Sequence, residues 1–160
     1  MKKKIKVIAV MMLACMMLCS ISAAAADERL GTTVDGSLLT EQSEVEAIGY
    51  PLARGAFLSS GLGGLTITGS RSVRVSGGTD AYQSVDEIKV TLLLQRLEGN
   101  YWATVNTLGP KTAYNTYTVS NAKTYSVSGG YYYRVVGSHV AIEGSKSEAI
   151  SSCSNGVWVE

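Results

Sequence analysis

The sequence predicts an all-β protein, an antiparallel β-sandwich of about seven strands, on three observations. About seven short runs rich in Val, Ile, Thr and Tyr follow one another from residue 63 onward. Turn-forming Gly, Asn, Ser or Pro residues recur between them roughly every ten positions, and no run after the leader carries a convincing helical period. Many short strands with regular turns close into a sandwich, with a barrel of similar size as the alternative. No fixed-period repeat is present, which excludes a solenoid or a propeller.

Residues 1–26 read as a secretory signal peptide. Lys2, Lys3, Lys4 and Lys6 precede an apolar run from Val7 to Leu18, and Ala23 to Ala26 supply the small residues of a cleavage site, placed after Ala25 or Ala26. The apolar run is shorter than the about 20 residues of a membrane span. Cys19 follows Met17-Leu18 rather than a small-residue lead, which argues against a lipid anchor. No wall-sorting pattern precedes Val159-Glu160, so release into the medium or loose retention on the envelope is expected.

Cleavage removes four lysines and no acids, and turns a formal charge of +1 into about −3. A mildly acidic chain without a basic cluster invites neither nucleic acid nor an anionic membrane. Cleavage also removes Cys15 and Cys19. Cys153 then stands alone, with no intrachain disulfide, and is open to burial, to an intermolecular bridge or to reaction.

Residues 27–60 carry six acids and little periodicity, and read as an acidic, poorly ordered lead segment. Within it Ser43-Glu44-Val45-Glu46 has the form of a capping box, which allows a short helix before Gly49-Tyr50-Pro51. The β-domain is expected over residues 61–160. Its first strands are Gly63 to Gly69 and Ser72 to Gly78, while Gly61-Leu62-Gly63-Gly64 reads as a hinge. The longest strand signal runs from Val85 to Leu97, with Ile88, Val90, Leu92 and Leu94 on its core face. Glu98-Gly99-Asn100 turns the chain into a partner strand from Tyr101 to Thr107. After the break at Gly109-Pro110, a strand from Tyr114 to Val127 follows. Gly129-Gly130 then opens the tyrosine strand Tyr131 to Gly137, and two short pieces around Asn155-Gly156 end the chain.

The run from Tyr131 through Ser151 resembles the last hairpin of fibronectin type III-like domains, and implies that Tyr131 or Tyr133 bonds back to upstream backbone as a tyrosine corner. A second resemblance spans about residues 51–158. It rests on Pro51-Leu52-Ala53-Arg54-Gly55, Gln95-Arg96, Glu98-Gly99-Asn100-Tyr101-Trp102, Gly130 to Val135, Gly137-Ser138-His139, Glu148, Ser152-Cys153 and Gly156. This is similar to a family of small secreted proteins of uncharacterised function from Gram-positive bacteria. It implies export and a β-fold, and assigns no site.

Chemistry-bearing residues are sparse. His139 is the only histidine, and no Gly-x-Ser-x-Gly elbow accompanies it, so an imidazole hydrogen-bonded at a strand end outweighs a hydrolase, including a His139–Cys153 dyad. One histidine and one cysteine cannot build a zinc set. Asp80, Asp86 and Glu87 read as solvated turn acids before calcium ligands, and no metal or cofactor is assigned. Paired carboxylates for glycoside cleavage would have to come from Glu98, Glu143 and Glu148, which nothing in the sequence brings together.

Nine tyrosines and two tryptophans point instead to binding. By strand parity Leu93, Leu97, Trp102, Tyr132 and Val136 lie opposite the core set, and are expected to form an outward apolar patch that binds a cell-wall polysaccharide or an extracellular protein. The expected function is therefore that of a secreted, non-enzymatic β-module. A bacteriocin-like antagonist and a small hydrolase using His139 are the alternatives.

Overall fold

The computed structural model describes residues 30–34, 37–51 and 55–160. The leader and its cleavage site lie outside the described residues. Among the described residues there are nine strands: β1 (Thr33–Val34), β2 (Ser37–Thr40), β3 (Glu44–Gly49), β4 (Leu58–Gly69), β5 (Ser72–Glu98), β6 (Tyr101–Ser126), β7 (Tyr131–Glu143), β8 (Lys146–Cys153) and β9 (Gly156–Val159). Among the described residues there is no helix, and so none long and apolar enough to cross a membrane.

The strands form one sheet in the order β1–β2–β9–β7–β5–β4–β3, with β6 on β5 and β8 on β7. All pairings are antiparallel except β2 with β9. β5 organises the sheet. Its first part pairs with β4 and its last part with β7, while β6 follows it along both. The two parts present their inward residues to one core because the parity changes along the strand. Val73, Val75, Thr79, Ala81 and Val85 are buried in the first part, through the bulge between Asp80 and Val85, and Ile88, Val90, Leu92 and Leu94 in the second, so the parity changes between Val85 and Ile88. An irregular insertion of this kind turns the strand and re-aims its side chains. The sheet thus folds over, with Leu58 and Leu65 of β4 and Val135 and Ala141 of β7 in one cluster.

The core set read from residues 88–94 is the observed one. Two breaks read from the sequence are not, since β5 passes through Gly77-Gly78 and β6 through Gly109-Pro110 without ending. The capping box forms no helix. Residues 44–49 are β3, whose Val45 is buried and which pairs with β4 along its whole length. Tertiary pairing overrides a capping signal too short to nucleate a helix. The lead segment contributes more structure than its composition suggests, since β1, β2, β3 and the start of β4 lie within residues 27–60. Gly61 to Gly64 is the middle of β4 rather than a hinge. Of Tyr131 and Tyr133, it is Tyr133 whose hydroxyl donates to upstream backbone, the Ser128 carbonyl at 2.8 Å.

Val135, fully buried on β7, tests this core. Val135→Asp places an unpaired carboxylate among apolar side chains, and is expected to abolish cooperative melting. A soluble variant with a sharp transition would show the parity of β7 to be wrong.

Candidate functional site

The five residues of the expected patch do share the face opposite the main core. Leu93 is the register partner of Val136, and Leu97 that of Trp102. Leu97, Trp102 and Tyr132 are nevertheless buried rather than outward, while Leu93 and Val136 are half-buried. Leu39 of β2 completes a second apolar cluster with Leu97, Trp102 and Tyr132, and Val34 and Trp158 pack against it. Trp102 Nε1 donates to the Val34 carbonyl at 3.1 Å, and the Arg134 guanidinium lies 4.4 Å from the centre of the Trp102 ring. Gly156 makes the closure possible, because a Cβ there would sit 2.8 Å from both Leu39 and the Trp102 ring. The patch is a second small core, covered by strands that the sequence left unassigned.

His139 is sealed inside the fold. Its Nδ1 lies 2.9 Å from Thr79 Oγ1 and its Nε2 2.9 Å from Ser152 Oγ, and all three residues are buried. Thr79 spends its one hydroxyl proton on the Lys89 carbonyl at 2.8 Å, so it accepts from His139. That fixes the proton on Nδ1 and leaves Nε2 to accept from Ser152. Serine donating to an imidazole is the polarity of an activated nucleophile, but no substrate atom reaches a fully buried pair. Burial pushes the imidazole down to about 4, outweighing the Gly78 backbone and the Asp80 charge, which act the other way. Glycines admit the ring, since a Cβ on Gly61 would lie 2.2 Å from it. Cys153 is exposed on the opposite parity to Ser152, and neither ring nitrogen of His139 bonds to it.

The carboxylates considered for catalysis hold the scaffold. Glu98 bonds Arg96 and Tyr101. Glu143 accepts from Asp86 N at 3.0 Å, while Asp86 accepts from Gly144 N at 2.7 Å, closing the turn after β7 reciprocally. Glu148 accepts three successive backbone N–H groups, from Ala56, Phe57 and Leu58, at 2.6, 3.2 and 2.7 Å. Desolvation pulls its pKa up, but the three donors outweigh it and hold the carboxyl below its usual range. Glu148→Gln replaces one acceptor oxygen by a donor facing these N–H groups. It is expected to lower unfolding free energy in urea by about 1–2 kcal/mol, the group's partial exposure limiting the loss. Unchanged stability would contradict the anchoring role. Of the acids weighed for calcium, Asp80 bonds Thr118 at 2.7 Å and Glu87 pairs with Lys89 at 2.8 Å. Among the described residues no three His, Cys, Asp or Glu side chains gather as a metal-binding group.

A surface that sequence reasoning did not single out remains. A groove of about 470 Å³ runs over β4, β5 and β6, lined by Leu62, Ser76, Gly77, Gly78, Asp80, Lys111, Thr118, Val119, Ser120, Asn121 and Ala122. Asp80 and Thr118 are register partners at one end of it. Tyr82 and Tyr117, more than half exposed, belong to the backbone adjoining that pair. The side chains of Lys111, Ser76 and Ser120 have no hydrogen-bond or ion-pair partner among the described residues, while Asn121, the register partner of Gly77, lines the groove with its backbone and has its side chain on the other face of the sheet. The only sequence signal was the tyrosine content of residues 114–127, because the groove is assembled from three strands whose register the sequence does not state.

No curated protein matches the chain. A family model described as a family of unknown function (DUF6147) matches residues 24–157, nearly the whole sequence, and the chain belongs to that family.

Proposed function

We propose that this protein is an exported, non-enzymatic β-module that binds a polymer or protein of the bacterial cell envelope. Export is supported by the three-part leader, and the family match begins at residue 24, beside the expected cleavage site. The observation that carries the binding reading is how the polar groups are distributed. The imidazole and the carboxylates Glu98, Glu143 and Glu148 are engaged in holding the fold, whereas the β4–β6 groove keeps polar groups without partners at an open surface. A small number of uncommitted polar groups in a concavity is the usual make-up of a recognition site. The expected outward patch at Trp102 and Tyr132 is not that surface, since β2 covers it.

Co-sedimentation tests the reading. The mature chain, starting at Asp27, is expected to pellet saturably with purified Gram-positive cell wall and to turn over no ester or glycoside substrate. Protein that stays in the supernatant at all wall concentrations would contradict it. Hydrolysis that survives repurification and is lost in Ser152→Ala would favour the hydrolase alternative.

A further inference from the structure

β6 has an open edge. It pairs with β5 and with no other strand among the described residues. The phase of the β5–β6 ladder shows which backbone groups that leaves. Val127 N donates to the Arg71 carbonyl at 2.9 Å, and the register then runs without a shift from the pair Ser72 and Ser126 to the pair Asp80 and Thr118. Backbone groups alternate in direction along a strand, so those of Val119, Asn121, Lys123 and Tyr125 bond β5. The N–H and C=O groups of Thr118, Ser120, Ala122, Thr124 and Ser126 point away from it. All five residues are exposed, and no strand among the described residues meets their outward backbone groups.

Exposed sheet edges are normally blunted by proline, charge, bulges or shortness. The earlier part of β6 is blunted in this way. Pro110 lacks an N–H, Asn115 takes a φ of 51°, and the register against β5 shifts on both sides of Leu92–Leu94. Between residues 118 and 126 there is no proline, no bulge and one charge, Lys123. The other free edges among the described residues are short or covered. β1 has two residues, β3 has six with Glu44 and Glu46 among them, and β8 has Gly49 of β3 set against its Ser151 carbonyl.

We propose that residues 118–126 of β6 pair antiparallel with the same edge of a second copy of this chain, about a two-fold axis at Ala122. Ala122 is the middle of the five outward positions, so this axis engages all of them. Thr118 lies opposite Ser126, Ser120 opposite Thr124 and Ala122 opposite its own counterpart, joined by about ten backbone hydrogen bonds. The sequence complements itself in that register. Its outer face sets Ala, Ser and Thr against one another, and its core-side face sets Val119 against Tyr125 and Lys123 against Asn121, with no like charges directly opposed. The two Lys123 side chains are diagonal neighbours about 7–8 Å apart, so added salt strengthens the contact. With no second long open edge among the described residues, head-to-tail growth lacks a template and pairing closes at two copies. This association is independent of what the groove binds.

Sedimentation equilibrium and amide hydrogen exchange of the mature protein from about 10 μM to 1 mM test this, under reducing conditions that exclude a bridge through the exposed Cys153. One strand from each copy makes a small interface, so a reversible monomer–dimer equilibrium is expected within that range. The amides of Ser120, Ala122 and Thr124 should exchange fast in dilute protein and be slowed about tenfold or more in concentrated protein, while those of Val119, Asn121 and Lys123 are slow in both. Ala122→Lys sets two ammonium groups face to face, and Ala122→Pro removes an N–H that β5 does not use. Both variants should stay monomeric at about 1 mM, with melting temperatures within a few degrees of dilute wild type. Should Ala122→Pro fail to fold, Ala122→Lys alone decides. A wild-type monomer at the highest concentration, a dimer whose edge amides still exchange fast, a mass rising past two copies, or an unchanged dimer in Ala122→Lys each overturns the proposal.

Discussion

Trp102→Ala is expected to cost about 3–5 kcal/mol of unfolding free energy, a large share of the stability of a domain this size. The ring is 9% exposed and does three things at once. It fills the space between Leu39 and Gly156, donates to the Val34 carbonyl, and lies under the Arg134 guanidinium. Its removal leaves a cavity, and takes away the surface on which β1 and β2 are seated. Tyr132 adds to the same cluster, edge-on to Trp158 with ring centres 5.0 Å apart. The double variant Trp102→Ala, Tyr132→Ala is therefore expected to show no cooperative transition in a denaturant titration. This reverses the sequence-based expectation that both rings are outward and dispensable to the fold. A double variant melting within a few degrees of wild type would restore it.

Acid is expected to destabilise the protein through His139. The imidazole titrates near its usual 6.5 when unfolded and at about 4 when folded, so between these values the unfolded chain binds the additional proton. Stability from keeping the ring neutral is complete above about pH 6.5, and falls as pH drops toward 4. The accumulated loss is about 3 kcal/mol, and is constant below that. Glu148 adds to the loss in the same direction, because its carboxyl is held below its usual range and its contribution also falls away in acid, at lower pH than that of His139. Urea titrations from pH 7.5 to 4 read the effect directly. His139→Gln, which keeps polar atoms toward Thr79 and Ser152, should flatten the slope between pH 6.5 and 4. The same slope in wild type and variant would place its origin elsewhere.

These two clusters mark where the sequence was legible. Alternation identified Ile88, Val90, Leu92 and Leu94 as core, and Leu97, Trp102 and Tyr132 as facing away from them, because side-chain direction follows from strand period alone. It did not reveal what lies over the second set. The cover comes from Leu39 and Val34, on strands of four and two residues, too short for a period to show. Nor did Gly61 announce its purpose, since its missing Cβ answers to a ring 78 positions further along the chain. Gly77-Gly78 and Gly109-Pro110 look like turns in isolation, yet the sheet absorbs them within strands of 27 and 26 residues. The groove was invisible for a related reason, because Asp80, Lys111 and Ser120 come to line one groove only through the long β5–β6 pairing and its bulges.

The central claim is that this fold binds through its β4–β6 groove rather than through its aromatic cluster. Backbone amide shifts in an ¹⁵N-labelled sample, titrated with soluble fragments of the cell wall, test it most directly. The account predicts perturbations concentrated at Gly77, Gly78, Thr118, Ser120 and Asn121, with Leu39, Leu97 and Trp102 unmoved. Perturbations centred on Leu39, Trp102 and Tyr132, or none at saturating fragment, would contradict it.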